Sequence, residues 1–212
     1  MYDQLPEILR LRKQPSQARS RARVEKIMMS TVELLRSEGL NAVNTNRIAQ
    51  QAGIPVGSVY QYFPNKLAVL SELYLGQLQR IRVRGLELEK EVLERGGPWQ
   101  DCVEYYFRNI KKSEESERGL MVELVRAITV YPELQEIDWI NGEMTAKHLA
   151  SMLSKLGSQW PQDRLERLAL FTYSMDSASW AYNDRSNAPD VETIQWEINA
   201  AIGALSPCFE SQ

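Results

Sequence analysis

The sequence contains few of the residues from which common catalytic and metal sites are built. It has one histidine, His148, and two cysteines, Cys102 and Cys208, which lie far apart and without the CxxC spacing of a zinc site. No GxSxG, HExxH or GxxxxGK motif occurs. We therefore expect no enzyme activity, no metal and no cofactor. We interpret the cysteines as ordinary thiols in a reducing cytoplasm.

Long apolar runs are also absent. The chain nowhere has the roughly eighteen consecutive apolar residues that a membrane-spanning helix needs. Its first ten residues, MYDQLPEILR, lack the apolar run preceded by positive charge that marks an export signal. These absences predict a cytoplasmic protein with no membrane partner.

Helical periodicity dominates what is present, and no segment shows a convincing strand pattern. Apolar residues recur at steps of three and four, and Gly and Pro separate the periodic segments. The pattern predicts an all-α protein of about nine helices. The longer helices are expected near residues 22–38, 66–94, 99–113, 118–130, 132–156, 161–184 and 191–205.

The net charge of -3 conceals a basic segment and an acidic one. Residues 10–66 contain ten Lys or Arg and three Asp or Glu, a net +7. Residues 67–212 contain fifteen and twenty-three, a net -8, and residues 1–9 add -2. A basic head on an acidic body suits a nucleic-acid-binding domain joined to a domain that does not bind nucleic acid.

Residues 45–66, TNRIAQQAGIPVGSVYQYFPNK, predict two short helices joined by a tight turn. Ile48, Ala49 and Ala52 share one face of the first helix, while Val59 and Phe63 share one face of the second. With those faces turned inward, the side chains expected to face solvent on the second helix include Val56, Ser58, Gln61 and Tyr62. A helix exposed in this way is suited to contacting DNA.

Turn residues support the same prediction. Gly53 stands where the first helix must stop, and a glycine takes the left-handed conformation found just past a helix end at little cost. Pro55 suits the first turn of a new helix because its missing N–H is not needed there. Asn46 or Thr45 is expected to cap the first helix.

The run AGIPVGSVYQYFPNK resembles the helix-turn-helix of TetR-family transcriptional regulators. The similarity covers about residues 19–75 and includes Gly57, Tyr60, Tyr62, Phe63 and Lys66 in order and spacing. It implies an N-terminal three-helix DNA-binding domain followed by a helical domain for ligand binding and dimerisation. We expect a flexible basic arm at 1–20, the DNA-binding domain at 21–66 and the second domain at 67–212.

The basic arm and the helix pair together supply the predicted DNA contacts. Gln61 is the candidate for reading adenine, Pro55 and Val56 offer apolar surface to a thymine methyl, and Gly57 permits close approach. By analogy with the family, Thr45, Tyr62 and Lys66 bind phosphate. Tyr60 either contacts phosphate or packs its ring in the small core. The full set is Arg19, Arg21, Arg23, Thr45, Asn46, Pro55, Val56, Gly57, Ser58, Tyr60, Gln61, Tyr62 and Lys66.

The resemblance also implies partners for the C-terminal part. In the family, two helices from each subunit form a four-helix bundle, and small residues such as Ala169, Ser177 and Ala201 favour such a homodimer here. A small, mostly apolar inducer is expected among helices five to eight. Tyr106, Trp139 and His148 are the candidate ligand-binding residues, although a lone histidine is usually a surface or core-edge residue.

These patterns predict a repressor that leaves a palindromic operator in double-stranded DNA when its inducer binds. Repression is the family's majority habit and is not visible in the residues. Two alternatives therefore stay open. The chain is either a ligand-independent dimeric regulator that acts through protein partners, or an activator.

Overall fold

A computed structural model describes residues 5–186 and 191–210, and the described residues form α-helices, short 3-10 turns and loops without a strand. This confirms the predicted all-α class. The helices are α1 (Ala18–Glu38), α2 (Thr45–Gln51), α3 (Val56–Tyr60), α4 (Lys66–Arg95), α5 (Trp99–Glu114), α6 (Arg118–Val130), α7 (Pro132–Lys155), α8 (Gln162–Ser186) and α9 (Val191–Leu205).

The chain divides into two compact units. Unit 1 comprises Met1–Gln77 and Glu117–Asp138, and unit 2 comprises Leu78–Ser116 and Trp139–Gln212. Unit 1 therefore contains α6 as well as the first three helices, whereas α4 and α7 each begin in unit 1 and continue into unit 2. The domain boundaries expected from the sequence, at residues 20 and 66, stay predictions.

Unit 1 is built on the apolar stripes that the sequence predicts. Ile48, Ala49 and Ala52 of the α2 segment are at most 3% exposed, and Val59 and Phe63 are fully buried. Burial of these side chains stabilises the fold by about 25 cal/mol for each Å² of apolar surface removed from water. This common core holds α2 and α3 in a fixed relation.

Helix α1 begins earlier than expected, at Ala18 instead of Ala22. The reason is a cap: the Gln17 amide donates to Ser20 Oγ at 3.1 Å, and Ser20 Oγ donates to the Gln17 carbonyl at 2.8 Å. Arg19 and Arg21, which a helix beginning at Ala22 would leave outside, are thus part of the first two turns of α1 together with Arg23.

The caps of the short helices also differ from expectation. Asn44, and neither Asn46 nor Thr45, caps α2, because its Oδ1 accepts the Arg47 amide at 3.0 Å. Gly53 follows α2 with φ +57°, as predicted for a left-handed glycine. Asn65 Oδ1 accepts the Ala68 amide at 3.0 Å and so caps the start of α4.

Helix α6 is tied to the first helices of unit 1 by polar contacts. Arg36 forms an ion pair with Glu117 at 2.7 Å, just before α6 begins. One turn into α6, a Glu123 carboxylate oxygen accepts the Leu40 amide at 2.7 Å. These contacts, with the burial of Leu120 and Leu124, place α6 in the same unit as α1 to α3.

Unit 2 has a separate apolar core from α4, α5, α7, α8 and α9. Cys102 and Cys208 are both buried in it, and Trp99 stacks on Phe209 with ring centroids 4.3 Å apart. Among the described residues, no helix combines the length and apolar character required to cross a membrane. Residues 187–190 of the expected loop before α9, and residues 1–4 of the expected arm, lie outside the described residues.

The cap of α2 gives a stability prediction. Asn44→Ala leaves the Arg47 amide without its partner, so we expect the free energy of unfolding to fall by about 1 kcal/mol. Asn46→Ala is the matched control, because Asn46 is exposed and lies inside the helix. Urea denaturation of both variants checks this, and equal stability of the two would contradict the assignment of the cap.

Candidate nucleic-acid interface

The outer surface of α3 is largely free of other protein groups. Val56 is 37% exposed and Tyr60 is 42% exposed, and Pro55, Gly57 and Gln61 are also exposed. Ser58 is half-buried. The helix thus presents a methyl-rich and amide-bearing face, which is the chemistry needed to contact thymine methyls and adenine edges in the major groove.

The packing of the chain does not require a glycine at position 57. A Cβ built on Gly57 meets no heavy atom within 4 Å, and the backbone there is ordinary helix. A glycine inside a helix costs up to about 1 kcal/mol relative to alanine. The absence of a side chain at this exposed position therefore favours a close approach by an external surface.

The structure brings together two of the predicted DNA-contacting residues. Tyr60 Oη lies 2.9 Å from Thr45 Oγ1, at the first turn of α2. The Tyr60 ring is exposed, so packing in the small core is not the role that the structure gives it. Asn46, beside Thr45, is exposed as well. The two hydroxyls and the Asn46 amide form one polar edge next to α3.

Tyr62 was expected to face outward, and this is wrong. It is only 6% exposed. Tyr62 follows the buried Val59 by three residues, a spacing that places both side chains on one face of a helical turn. The Tyr62 carbonyl accepts the Arg12 amide at 2.8 Å, which ties this turn to the N-terminal segment.

Lys66 is held by Tyr131, which follows the end of α6. The Lys66 Nζ donates to Tyr131 Oη at 2.7 Å and lies 4.7 Å from the centroid of the Tyr131 ring. A cation–π contact of this kind holds the ammonium over the face of the ring. The position fits phosphate binding at the start of α4, but in this structure the ammonium already has a partner.

The three arginines in the first two turns of α1 do not form one cluster. Arg19 and Arg23 are four residues apart and share a face, whereas Arg21 lies on another side and donates to the Ser16 carbonyl. Cations in the first turns of a helix are disfavoured by the helix dipole. Phosphate groups nearby would remove that penalty, which supports a role for Arg19 and Arg23 in binding a polyanion.

Two further cations near the helix pair were not among the predicted contacts. The Lys26 ammonium lies 4.0 Å from the position that a Cβ on Gly53 would take, beside the turn between α2 and α3. Arg47 of α2 pairs with Glu38 and donates to Gln50 Oε1 at 3.3 Å. Helical spacing would have placed Lys26 one turn after Arg23, on the same stretch of α1.

The three candidate ligand-binding residues lie in unit 2, and two of them are close together. Tyr106 and His148 have ring centroids 6.4 Å apart, and His148 Nδ1 lies 3.4 Å from Glu89 Oε2. Burial, followed by the charge of Glu89, raises the pKa of Tyr106. Trp139 is 56% exposed instead. The described residues hold no group of three or more His, Cys, Asp or Glu side chains arranged for a metal ion.

A cavity of about 290 Å³ lies between α5, α8 and α9 of unit 2. Its walls are mostly apolar, and Phe107, Met175 and Trp196 are among them. At its edge Lys111 Nζ lies 2.5 Å from Asp176 Oδ1 and 3.1 Å from Glu197 Oε2. Burial lowers the pKa of Lys111, but the neighbouring carboxylates outweigh burial and raise it overall.

Comparison with known proteins supports the assignment of α2 and α3 as a helix-turn-helix. Residues 27–73 match the family described as bacterial regulatory proteins of the tetR family. This segment, which contains the helix-turn-helix, therefore belongs to the TetR family. The HTH-type transcriptional repressor KstR of Rhodococcus jostii is 33% identical over 63 residues, which is 30% of this chain and 30% of that protein. The chain thus spans about 30% of the length of the curated relatives it matches.

Solved structures show the TetR-family fold over most of the chain. A transcriptional regulator from Rhodococcus sp. RHA1 superposes with a TM-score of 0.67 at 17% identity, over 89% of this chain and 99% of that one. The multidrug binding protein EbrR, complexed with imidazole, superposes with a TM-score of 0.64 at 13% identity, over 86% and 94%. These similarities concern the fold.

Gly57 provides a test that separates folding from DNA binding. Gly57→Ala adds a methyl that no protein atom opposes, so the free energy of unfolding should be unchanged or rise by up to about 1 kcal/mol. DNA affinity should fall by about 1 kcal/mol or more, roughly fivefold in Kd, because the methyl enters the approach surface.

Gly76→Ala in α4 is the matched control, since a Cβ there also meets nothing within 4 Å. It should stabilise the fold in the same way and leave DNA binding intact. Thermal unfolding and a gel-shift titration measure the two quantities. Equal DNA affinity for both variants would show that Gly57 does not face the duplex.

Proposed function

We propose that this chain is a sequence-specific DNA-binding regulator of transcription whose helix α3 enters the major groove. The observation that carries the proposal is the outer face of α3. It is exposed at Val56, Gly57 and Gln61 while Val59 and Phe63 on the opposite side are buried. Lys26 of α1 lies beside the turn that precedes α3, and we propose that it binds phosphate together with Arg19 and Arg23.

Two copies of α3 are needed for useful specificity, because one short helix reads few base pairs. Unit 2 offers a surface for a second copy. Phe171, Ser174, Met175 and Ala178 are exposed on one face of α8, and Phe171 is 58% exposed. On α9, Trp196 is 54% exposed, and the small residues Ala200 and Gly203 continue the same face. We propose that these faces form the homodimer.

We further propose that the regulator is a repressor that a small, mostly apolar molecule releases from DNA. Support for repression comes from the N-terminal similarity to the repressor KstR. Support for ligand binding comes from the shared fold with a multidrug binding protein complexed with imidazole, and from the apolar cavity between α5, α8 and α9. A ligand can shift binding only through different affinities for the two states of the protein.

Selection of bound duplexes from a random pool by the purified protein tests DNA recognition. We expect an inverted repeat with half-sites about one helical turn apart. Gln61→Ala should lose preference at one base position of each half-site, at a cost of about 1–3 kcal/mol. Lys66→Ala should instead weaken all sequences alike and reduce the salt slope by about one.

The two variants control for each other, because both shorten a side chain near the start of α4. If they weakened binding in the same way for every sequence, Gln61 would not be a base-reading residue. If the wild-type protein selected no sequence at low salt, the proposed function would be wrong.

Trp196→Lys tests the proposed dimer. A charged side chain in the centre of a desolvated interface should weaken dimerisation by about 2 kcal/mol, roughly thirtyfold. Trp139→Lys is a matched control, since Trp139 is 56% exposed on α7 and lies outside the proposed faces. Sedimentation equilibrium measures both variants. A dimer unaffected by Trp196→Lys would place the interface elsewhere.

A further inference from the structure

The N-terminal strap, residues 5–13, precedes α1 and lies outside the segment that matches the TetR family. The sequence predicts a flexible arm there. In the structure Leu5 and Leu9 are fully buried, and a 3-10 turn at Glu7–Leu9 connects them. Two buried leucines remove enough apolar surface from water to hold a short segment against its unit.

Hydrogen bonds fix where the strap lies. The Arg12 amide donates to the Tyr62 carbonyl at 2.8 Å, and Asn65 Nδ2 donates to the Ile8 carbonyl at 3.0 Å. Both partners belong to the turn between α3 and α4. Asn65 also caps α4 through its Oδ1, so one side chain joins the strap to the helix that follows the recognition helix.

The strap carries positive charge, which the recognition helix lacks. Residues 48–65 contain no Lys, Arg, Asp or Glu, so α2 beyond Arg47, α3 and the following turn supply no charge to bind phosphate. Lys66, hydrogen-bonded to the neutral Tyr131, is the next cation along the chain, whereas Arg47 before the segment is paired with Glu38. Arg12 and Lys13, by contrast, are exposed at the point where the strap is bonded to Tyr62.

We propose that the strap is a second DNA-binding element, in which Arg12 and Lys13 bind backbone phosphates beside the half-site contacted by α3. The proposal rests on the proposed function and extends it to residues outside the family match. Because the strap is anchored before DNA arrives, the backbone that carries its two cations loses little conformational freedom on binding. Phosphate contacts carry no base information, so the strap adds affinity equally for all sequences.

The test compares the double variant Arg12→Gln and Lys13→Gln with the wild-type chain on a duplex that the wild type selects. Both side chains are exposed and glutamine keeps the Arg12 backbone donor, so the fold should persist. The slope of log K against log salt should decrease by about 0.9 for each phosphate that the variant no longer neutralises, roughly 1.8 per subunit. The base preference should not change. In ethylation interference, modification of the phosphates bound by the strap should weaken binding of the wild type and not of the variant.

Lys90→Gln with Lys147→Gln is the matched control, because both lysines are exposed in unit 2 and the reduction in charge is the same. It should leave the slope unchanged. If the strap variant also kept the wild-type slope and interference pattern, the strap proposal would be overturned while the proposed function would stand. If the wild type bound no duplex, both would fail.

The anchor itself can be measured without DNA. A backbone amide that donates to a buried carbonyl exchanges slowly with solvent. The Arg12 amide should therefore be protected from hydrogen exchange, whereas the Lys13 amide, for which no such bond is formed in the described residues, serves as the internal reference. Arg12 exchange at the rate of an unstructured peptide would overturn the anchored strap.

Discussion

Helix α3 is too short to be stable alone, and its packing is the constraint on which the proposed interface depends. It has five residues, whereas isolated helices shorter than about 12–15 residues are marginal in water. Its stability must therefore come from burial of Val59 and Phe63 and from packing against α2. Those two side chains fix which face is left outside, so the exposed surface at Val56, Gly57 and Gln61 is a direct consequence of the core.

In this arrangement, the uncharged groups suited to base contacts and the cations suited to phosphate contacts lie on different elements. The segment from residue 48 to residue 65 is uncharged, and it offers methyl, aromatic, amide and hydroxyl groups. Charge is carried by neighbouring elements: the arginines of α1, Lys26 beside the turn, and Lys66 at the start of α4. An uncharged recognition helix is attracted little to non-specific phosphate, so the affinity and the sequence preference of such an interface can vary independently.

Much of this could be predicted from the sequence, because the helices have regular apolar periods and the short turn has strong local signals. The buried faces of α2 and α3, the left-handed Gly53 and the span of α9 at Val191–Leu205 are confirmed. One error is a misapplied local rule, because Tyr62 lies three residues after the buried Val59 and helical spacing therefore favours the inner face. The strap is anchored through contacts some fifty residues distant in sequence, which no local pattern reveals.

Helix α6 belongs to unit 1, and its contacts there could couple a ligand-induced movement to DNA binding. Glu117 holds Arg36, Glu123 holds the Leu40 amide, and Tyr131 holds the Lys66 ammonium. Each contact joins the α6 region to a different element of the helix-turn-helix domain. A shift of α6 must therefore either break these bonds or carry α1 and the start of α4 along. Tyr131 occupies one of the three N–H donors of Lys66 and fixes where its charge lies, so a change in the position of Tyr131 would move that charge relative to a bound duplex.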